Sequence, residues 1–492
     1  MQLSKISLND PKVHILILAF FSAFTSYLVV YGFELTHFTL SIDEEPFDNF
    51  FQTLSAGRWG HALLRHYILP EPYLPFFTLL LSLIFLSCSA ALASIYLKLN
   101  KIHAVAFTVM LAALPQMAYQ FEFSNQSDTI SLSILLSTAS LFMLEKVSAW
   151  RLLIFVILTI VSLSVYQSVF LYSASLLCIS LTLKSINEKL TYTDAAKKIV
   201  LFGVMAGIAL IINSILSKMV AGHYGVQISG YLSAMIGWGK HGTYDVIKSV
   251  AHFIRDYIRF RAAYGMNSFA FCLIWIVTIC VAVVRKKSNV SLTIILSVAT
   301  FLSMFLLNIA IGSGMPPRAM TQASVVFAGL FICAISITQL KTSSVLIALV
   351  FLGVGASSST RLFYSDYMAR EADRNLSEQI INTIYNKYPQ FDATKTPIFF
   401  YGSYSPLNSW RVPGADVFGA SFYEWDGGNN QRMYKYLYTS NMLNVKIPDA
   451  DQVERSRVNG KSMPSWPDRN AVRMMDGVVI VKLSDQLSDY NR

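Results

Sequence analysis

The chain alternates between long apolar blocks and short polar joints, and block length is its most regular property. Runs of about 17–25 apolar residues match the ~30 Å of hydrocarbon that a helix rising ~1.5 Å per residue must cross. About eleven such spans can be placed, at roughly 15–33, 74–97, 103–120, 129–144, 151–165, 168–184, 199–218, 267–284, 290–310, 319–339 and 343–358. The expected fold class is a multi-spanning α-helical membrane protein. After about Ser359 the pattern changes, and residues 361–492 mix polar, aromatic and apolar positions as a small soluble domain does. There Asp366 to Tyr388 has helical patterning, Pro397 to Gly402 and Gly477 to Leu483 read as buried strands, and Asp426-Gly427-Gly428-Asn429 reads as a turn. This gives two domains, a membrane domain over 1–360 and an α/β domain over 361–492.

Charge orients the spans. Lys98, Lys101, Lys146, Arg151, Lys184 to Lys198, Arg285-Lys286-Lys287 and Lys341 fall in loops on one side. Asp43, Glu44, Glu45, Asp48, Glu71, Glu122 and Asp128 fall on the other. Basic loops stay in the cytoplasm, so the N-terminus, with Lys5 and Lys12, is expected inside and the acidic loops outside. An odd number of spans then puts the C-terminal domain outside too. Two outside loops are long, about 34–73 and 220–266. In the second, Val246, Val250, Phe253, Tyr257 and Phe260 share one helical face while Lys248, His252, Arg255 and Arg259 share another. Such a helix is suited to lying in the membrane interface beside lipid phosphates.

Composition agrees with this class. The chain is 54% hydrophobic and only 14% charged, which argues against a soluble protein of this length. The formal charge of +10 follows from lysines and arginines flanking spans, so it does not imply a nucleic-acid partner. The first block is too long for a cleaved signal peptide. All five cysteines lie in apolar runs, with no spacing that suggests a disulfide of an external domain or a metal site.

The candidate chemistry sits at the outer surface. Directly after the first span comes Ser41-Ile42-Asp43-Glu44-Glu45. A carboxylate partly desolvated by aromatic and lipid neighbours gains basicity and can take a proton from a hydroxyl nucleophile. Asp43 and Glu44 are the leading candidates and Glu45 the third. Arg58, in Gly57-Arg58-Trp59-Gly60-His61, can clamp a phosphate or pair with an upstream acid. Arg318, in the tight outside turn that begins at Gly312, runs against the local charge rule and calls for an anionic partner, either an acid or a substrate phosphate. Lys240-His241, between glycines, are further cationic candidates with a plain surface role as the alternative. Tyr166-Gln167 separates the fifth and sixth spans with no linker, and polar groups at such a break line cavities more often than they face lipid. In Ser421 to Asp426, Trp425 beside Asp426 suits stacking on a sugar ring and bonding its hydroxyls.

The order of these features resembles the serotype-converting O-antigen glucosyltransferases of the Glucos_trans_II type, which belong with the GT-C membrane glycosyltransferases. The residues concerned are Asp43 and Glu44, Gly57-Arg58-Trp59, Ser164-x-Tyr166-Gln167, and Gly419 to Phe422 leading to Trp425-Asp426. The resemblance implies a GT-C-like fold in the bacterial inner membrane with a periplasmic C-terminal domain. It implies transfer of glucose from undecaprenyl phosphate to lipid-linked O-antigen repeats, inverting at the anomeric carbon. The base would be a first-loop acid, and the three adjacent acids Asp43, Glu44 and Glu45 all qualify. Arg58 and Arg318, with Lys240 and His241, would bind the donor phosphate. Trp59, Tyr166, Gln167, Trp425 and Asp426 would bind substrate. No cofactor is implied: such a donor needs no nucleotide, in keeping with the lack of a phosphate-binding glycine loop, and no metal is demanded because an arginine can offset the single charge of the phosphate. A flippase and a cytoplasmic donor-synthesising glucosyltransferase would be its functional partners. The alternative is a transporter or flippase, or a polymerase, of lipid-linked glycans. A transporter would show internal repeats and midplane charges, and a polymerase would carry its large soluble segment between spans.

Overall fold

A computed structural model describes residues 10–46, 48–188, 190–259, 268–286 and 289–487. Lys5, Phe260 and Lys287, named above, lie outside the described residues. The chain forms two compact units, one of Met1–Thr36 with Asn49–Thr360, the other of His37–Asp48 with Arg361–Arg492. The second unit therefore takes a piece of the first outside loop, including all three candidate acids.

The first unit is helical. Among the described residues seven helices are long and apolar enough to cross a membrane: Pro11–Thr36, Pro75–Tyr96, Ser124–Glu145, Gln167–Asn187, Tyr192–His223, Ser268–Lys286 and Thr342–Lys387. Four shorter apolar helices, Lys101–Ala113, Ala149–Val165, Val290–Ser303 and Ala323–Thr338, occupy the other expected positions. Two of these are shorter than expected for local reasons. Asn100 caps the first by accepting from the His103 N–H, but Pro115 forbids helical geometry at Leu114, whose ψ is 104°. The span expected over 290–310 breaks after Ser303, resumes as Leu306–Ile311 and stops at Gly312 in the left-handed region.

Small hydroxyl residues join the helices. Ser89 and Thr138 lie 2.8 Å apart, Ser133 and Ser162 2.9 Å, Ser175 and Ser303 2.8 Å, and Thr182 and Thr300 3.1 Å. Such bonds contribute only about 0.6 kcal/mol each, but small side chains let backbones approach closely. Outward residues such as Phe21, Ile211 and Val350 are exposed, as lipid-facing positions are. The helix Thr243–Ile258 buries Val246, Val250 and Tyr257 and leaves Lys248 and His252 exposed, as its two-faced pattern requires.

The helix expected from Asp366 is not a separate element. Thr342–Lys387 is one helix of 46 residues, because no proline and no glycine interrupts residues 356–387. Its apolar part ends near Thr360, and the rest belongs to the second unit. That unit holds a three-stranded sheet in the order β1-β3-β2. β1 (Ile398–Tyr401) runs parallel to β3 (Val478–Lys482), and β2 (Val472–Met475) is antiparallel to β3. β1 and β3 are the two expected strands. β2 has no apolar run to announce it; it forms because Asp476 and Gly477, both at positive φ, turn the chain back on β3. Phe399, Tyr401, Met463, Val478 and Ile480 form a core cluster.

Candidate functional site

In the second unit the acids are arranged around one guanidinium. Asp43 has a φ of 78°, in a tight turn closed by the Glu44 N–H donating to the Ser41 carbonyl at 3.0 Å. Arg432, on the helix Asn430–Thr439, reaches three carboxylates at once. Its Nη2 lies 2.9 Å from Asp43 Oδ1, its Nη1 2.6 Å from Glu45 Oε1 and its Nε 2.6 Å from Asp426 Oδ2. One positive charge thus faces three negative ones, and the group keeps a net negative charge.

The three candidate acids are not equivalent. Glu44 is 1% exposed, and its Oε2 accepts from the Ser41 N–H at 3.0 Å. Glu45 is 4% exposed and accepts both from Arg432 and from the Asp43 N–H, at 2.8 Å. Burial pushes the Glu45 carboxyl above the usual carboxylate range, against the pull of Arg432. The Asp43 side chain is 42% exposed. It alone of the three is both open and held by a cation. A further buried carboxylate, Asp366, fastens the loop to the long helix. Its Oδ2 accepts from Ser41 Oγ at 2.7 Å and from Thr39 Oγ1 at 2.9 Å, while its Oδ1 accepts from the Gly419 N–H at 3.2 Å. Trp425 and Asp426 stand in a 3-10 turn, Trp425–Gly427. Asp426 spends an oxygen on Arg432, so it supports the cluster more directly than it offers a sugar contact.

In the first unit two motifs far apart in sequence pack on each other. The Arg58 guanidinium lies 4.5 Å from the Tyr166 ring centroid, and its Nη1 donates to Gln126 Oε1 at 3.1 Å. Gln167 Nε2 donates to the Gly57 carbonyl at 3.2 Å, and Trp59 Nε1 donates to Asn213 Oδ1 at 3.0 Å. Glycine is required here. Gly57 has a φ of +74°, and a Cβ on Gly60 would fall 1.9 Å from Ser164 Oγ. Below this layer Arg65 pairs with buried Asp128 at 2.5 Å, and His61 Nδ1 lies 2.8 Å from Thr129 Oγ1.

Arg318 is anchored on the same stretch of chain as Arg58. Its guanidinium lies 5.3 Å from the Phe123 ring centroid, and its carbonyl accepts from the buried amide of Gln120. Phe123 and Gln126 are one helical turn apart, at the N-terminus of the helix Ser124–Ser140. Lys240 and His241 are placed differently. Both are exposed; Lys240 Nζ caps the helix Tyr231–Met235 by donating to the carbonyls of Ser233 and Ala234, and the His241 N–H donates to the Gly237 carbonyl.

Neither a curated protein nor a solved structure matches the chain. The family model described as glucosyl transferase GtrII matches residues 32–361. That stretch contains Asp43, Glu44, Glu45, Arg58, Trp59, Tyr166, Gln167, Lys240, His241 and Arg318, and ends before Asp366, Asp426 and Arg432. The chain belongs to the glucosyl transferase GtrII family (Glucos_trans_II) and is a membrane glycosyltransferase.

Proposed function

We propose that the protein moves a glucosyl group from undecaprenyl phosphate glucose onto a sugar hydroxyl of lipid-linked O-antigen repeats, at the periplasmic face of the bacterial inner membrane and with inversion. The observation that supports this reading best is the inequality of the three acids. Asp43 is open to a substrate while Arg432 holds its carboxylate in place. As the acceptor oxygen attacks the anomeric carbon, Asp43 takes the hydroxyl proton. The bond from that carbon to the phosphate oxygen breaks, and the electron pair leaves with the polyprenyl phosphate. The departing phosphate gains one negative charge, which fixed cations can stabilise. Arg58 and Arg318 are assigned that role by their charge and their place in the sequence. Tyr166 and Gln126 hold Arg58, Gln167 holds the Gly57 backbone, and Trp59 lies beside them. A lipid-linked donor made in the cytoplasm must cross the bilayer, so a flippase and a cytoplasmic glucosyltransferase precede this step.

The test is donor choice. Protein purified in lipid nanodiscs is given undecaprenyl phosphate glucose or a nucleotide-activated glucose, each with delipidated O-polysaccharide. Transfer from the lipid donor alone, with inverted anomeric configuration by NMR, is expected. Transfer from the nucleotide donor, or retention of configuration, would overturn the proposal.

A further inference from the structure

The second unit carries a pocket that the transfer chemistry does not use. It has a volume of about 240 Å³ and is lined by Leu407, Asn408, Arg411, Gly419, Ser421 and Glu424, among others. That volume has room for several waters or for one pyranose ring. The geometry points to a subsite for a neutral sugar residue of the acceptor glycan, deepening the transferase reading above by naming where its acceptor is gripped.

Three observations carry this. The charges in the pocket cancel, because Arg411 Nη1 lies 3.0 Å and 2.9 Å from the two oxygens of Glu424. A neutral, partly exposed fork of donors and acceptors suits hydroxyl groups rather than an anion. The wall is also built rather than incidental. Asn408 Nδ2 donates to the Ser365 carbonyl at 2.8 Å and to the Gly419 carbonyl at 3.3 Å, and its Oδ1 accepts from the Trp410 N–H at 3.1 Å. Gly419, at a φ of +75°, leaves room for that wall, since a Cβ there would stand 3.1 Å from Asn408 Nδ2 and 3.3 Å from Arg411 Cγ. Apolar cover comes from Pro406 and from Leu407, which is 91% exposed. Such surfaces pack on the C–H face of a sugar ring.

The pocket is also tied to the acid loop. Asp366 accepts from Gly419 on one oxygen and from Ser41 on the other. Glu424 lies two residues before Asp426, so their Cα atoms are at most ~7 Å apart. A glycan seated on Glu424 therefore lies near the cluster that holds Asp43.

The test is glycan binding to the full chain in nanodiscs, with the neutral O-polysaccharide released by mild acid from the cells that make this protein. Arg411→Ala and Leu407→Glu should each weaken binding about tenfold, and Leu407 is so exposed that its change leaves folding intact. Arg374→Ala, which removes an exposed ion pair with Glu378 outside the pocket lining, should bind as the wild type does. No measurable binding by the wild type, or unchanged binding in both pocket variants, overturns the proposal. Failure of the transferase reading looks different: Asp43→Asn would keep transferring glucose while Arg411→Ala still lost the glycan.

Discussion

Arg432 Nη1 lies 2.6 Å from Glu45 Oε1 although the two residues are 387 positions apart in the chain. The same guanidinium holds Asp43 and Asp426, so one side chain sets the geometry of the acid loop. Arg432→Met would leave buried Glu45 without its cation. A loss of about 3 kcal/mol in the stability of this unit is expected, with transfer abolished, whereas Arg432→Lys should recover part of the stability but little activity, because a lysine cannot make the three-way fork. Denaturant unfolding and transfer assays on the full chain check this. Wild-type stability in Arg432→Met would mean that the carboxylates do not depend on it.

The Arg58 guanidinium lies over the Tyr166 ring. Arg58→Lys keeps the charge and loses the planar contact, so the donor KM should rise about three- to tenfold with little change in thermal stability. Tyr166→Phe keeps the ring and should behave like the wild type, while Tyr166→Leu should resemble Arg58→Lys. Donor titration of the three variants decides it; equal donor KM values in all of them would remove Arg58 from phosphate binding.

Gly60 and Ser164 are in contact across two helices. Gly60→Ala should destabilise the first unit by about 1–3 kcal/mol through overpacking. Ser164→Gly in the same chain should restore much of it, as neighbouring substitutions are not additive. Additive losses would show that the two positions do not touch.

Much of this was legible in the sequence, and for physical reasons. Spans are written in runs of apolar residues, so every expected span has an apolar helix over it. Gly57 and Ser164 lie in the short motifs that carry the family resemblance, but the close approach of Gly60 to Ser164 is visible only in the structure. What sequence reading missed is non-local. Arg432 sits in Asn-Gln-Arg-Met-Tyr, a pattern no different from many helix surfaces, and nothing near it points to residue 43. The polar shift at Asp366 looks like a helix boundary; its carboxylate is instead a clamp for Thr39, Ser41 and Gly419. The place of the acids after the first span is plain in the sequence, yet their different exposure depends on contacts made more than 300 residues later.

Asp373 gives a pH signature. It is fully buried, with Arg370 Nη1 at 2.9 Å, the Phe422 N–H at 3.0 Å and Ser421 Oγ also donating. Burial pushes its carboxyl from an ordinary value of 3.8 up to about 6; Arg370, Ser421 and the Phe422 N–H pull it down, and Asp366 adds to the rise. The folded state therefore holds this proton more tightly than the unfolded chain. The resulting stabilisation is complete below pH ~4 and is lost as pH rises from ~4 to ~6. Asp373→Asn cannot titrate there, so the stability of the wild type relative to the variant should fall across that window and level off above it. Parallel unfolding curves from pH 4 to 7 would contradict the assignment.

The central claim is that Asp43 is the base, and separate amide replacements of Asp43, Glu44 and Glu45 test it most directly. Initial rates of glucose transfer from undecaprenyl phosphate glucose are measured for each purified variant after its folding is verified. Asp43→Asn should lower kcat by about 10²- to 10⁴-fold with donor KM little changed, while Glu44→Gln and Glu45→Gln should act mainly through stability. Near wild-type turnover in Asp43→Asn would contradict the claim, most sharply if Glu44→Gln or Glu45→Gln were the inactive enzyme instead.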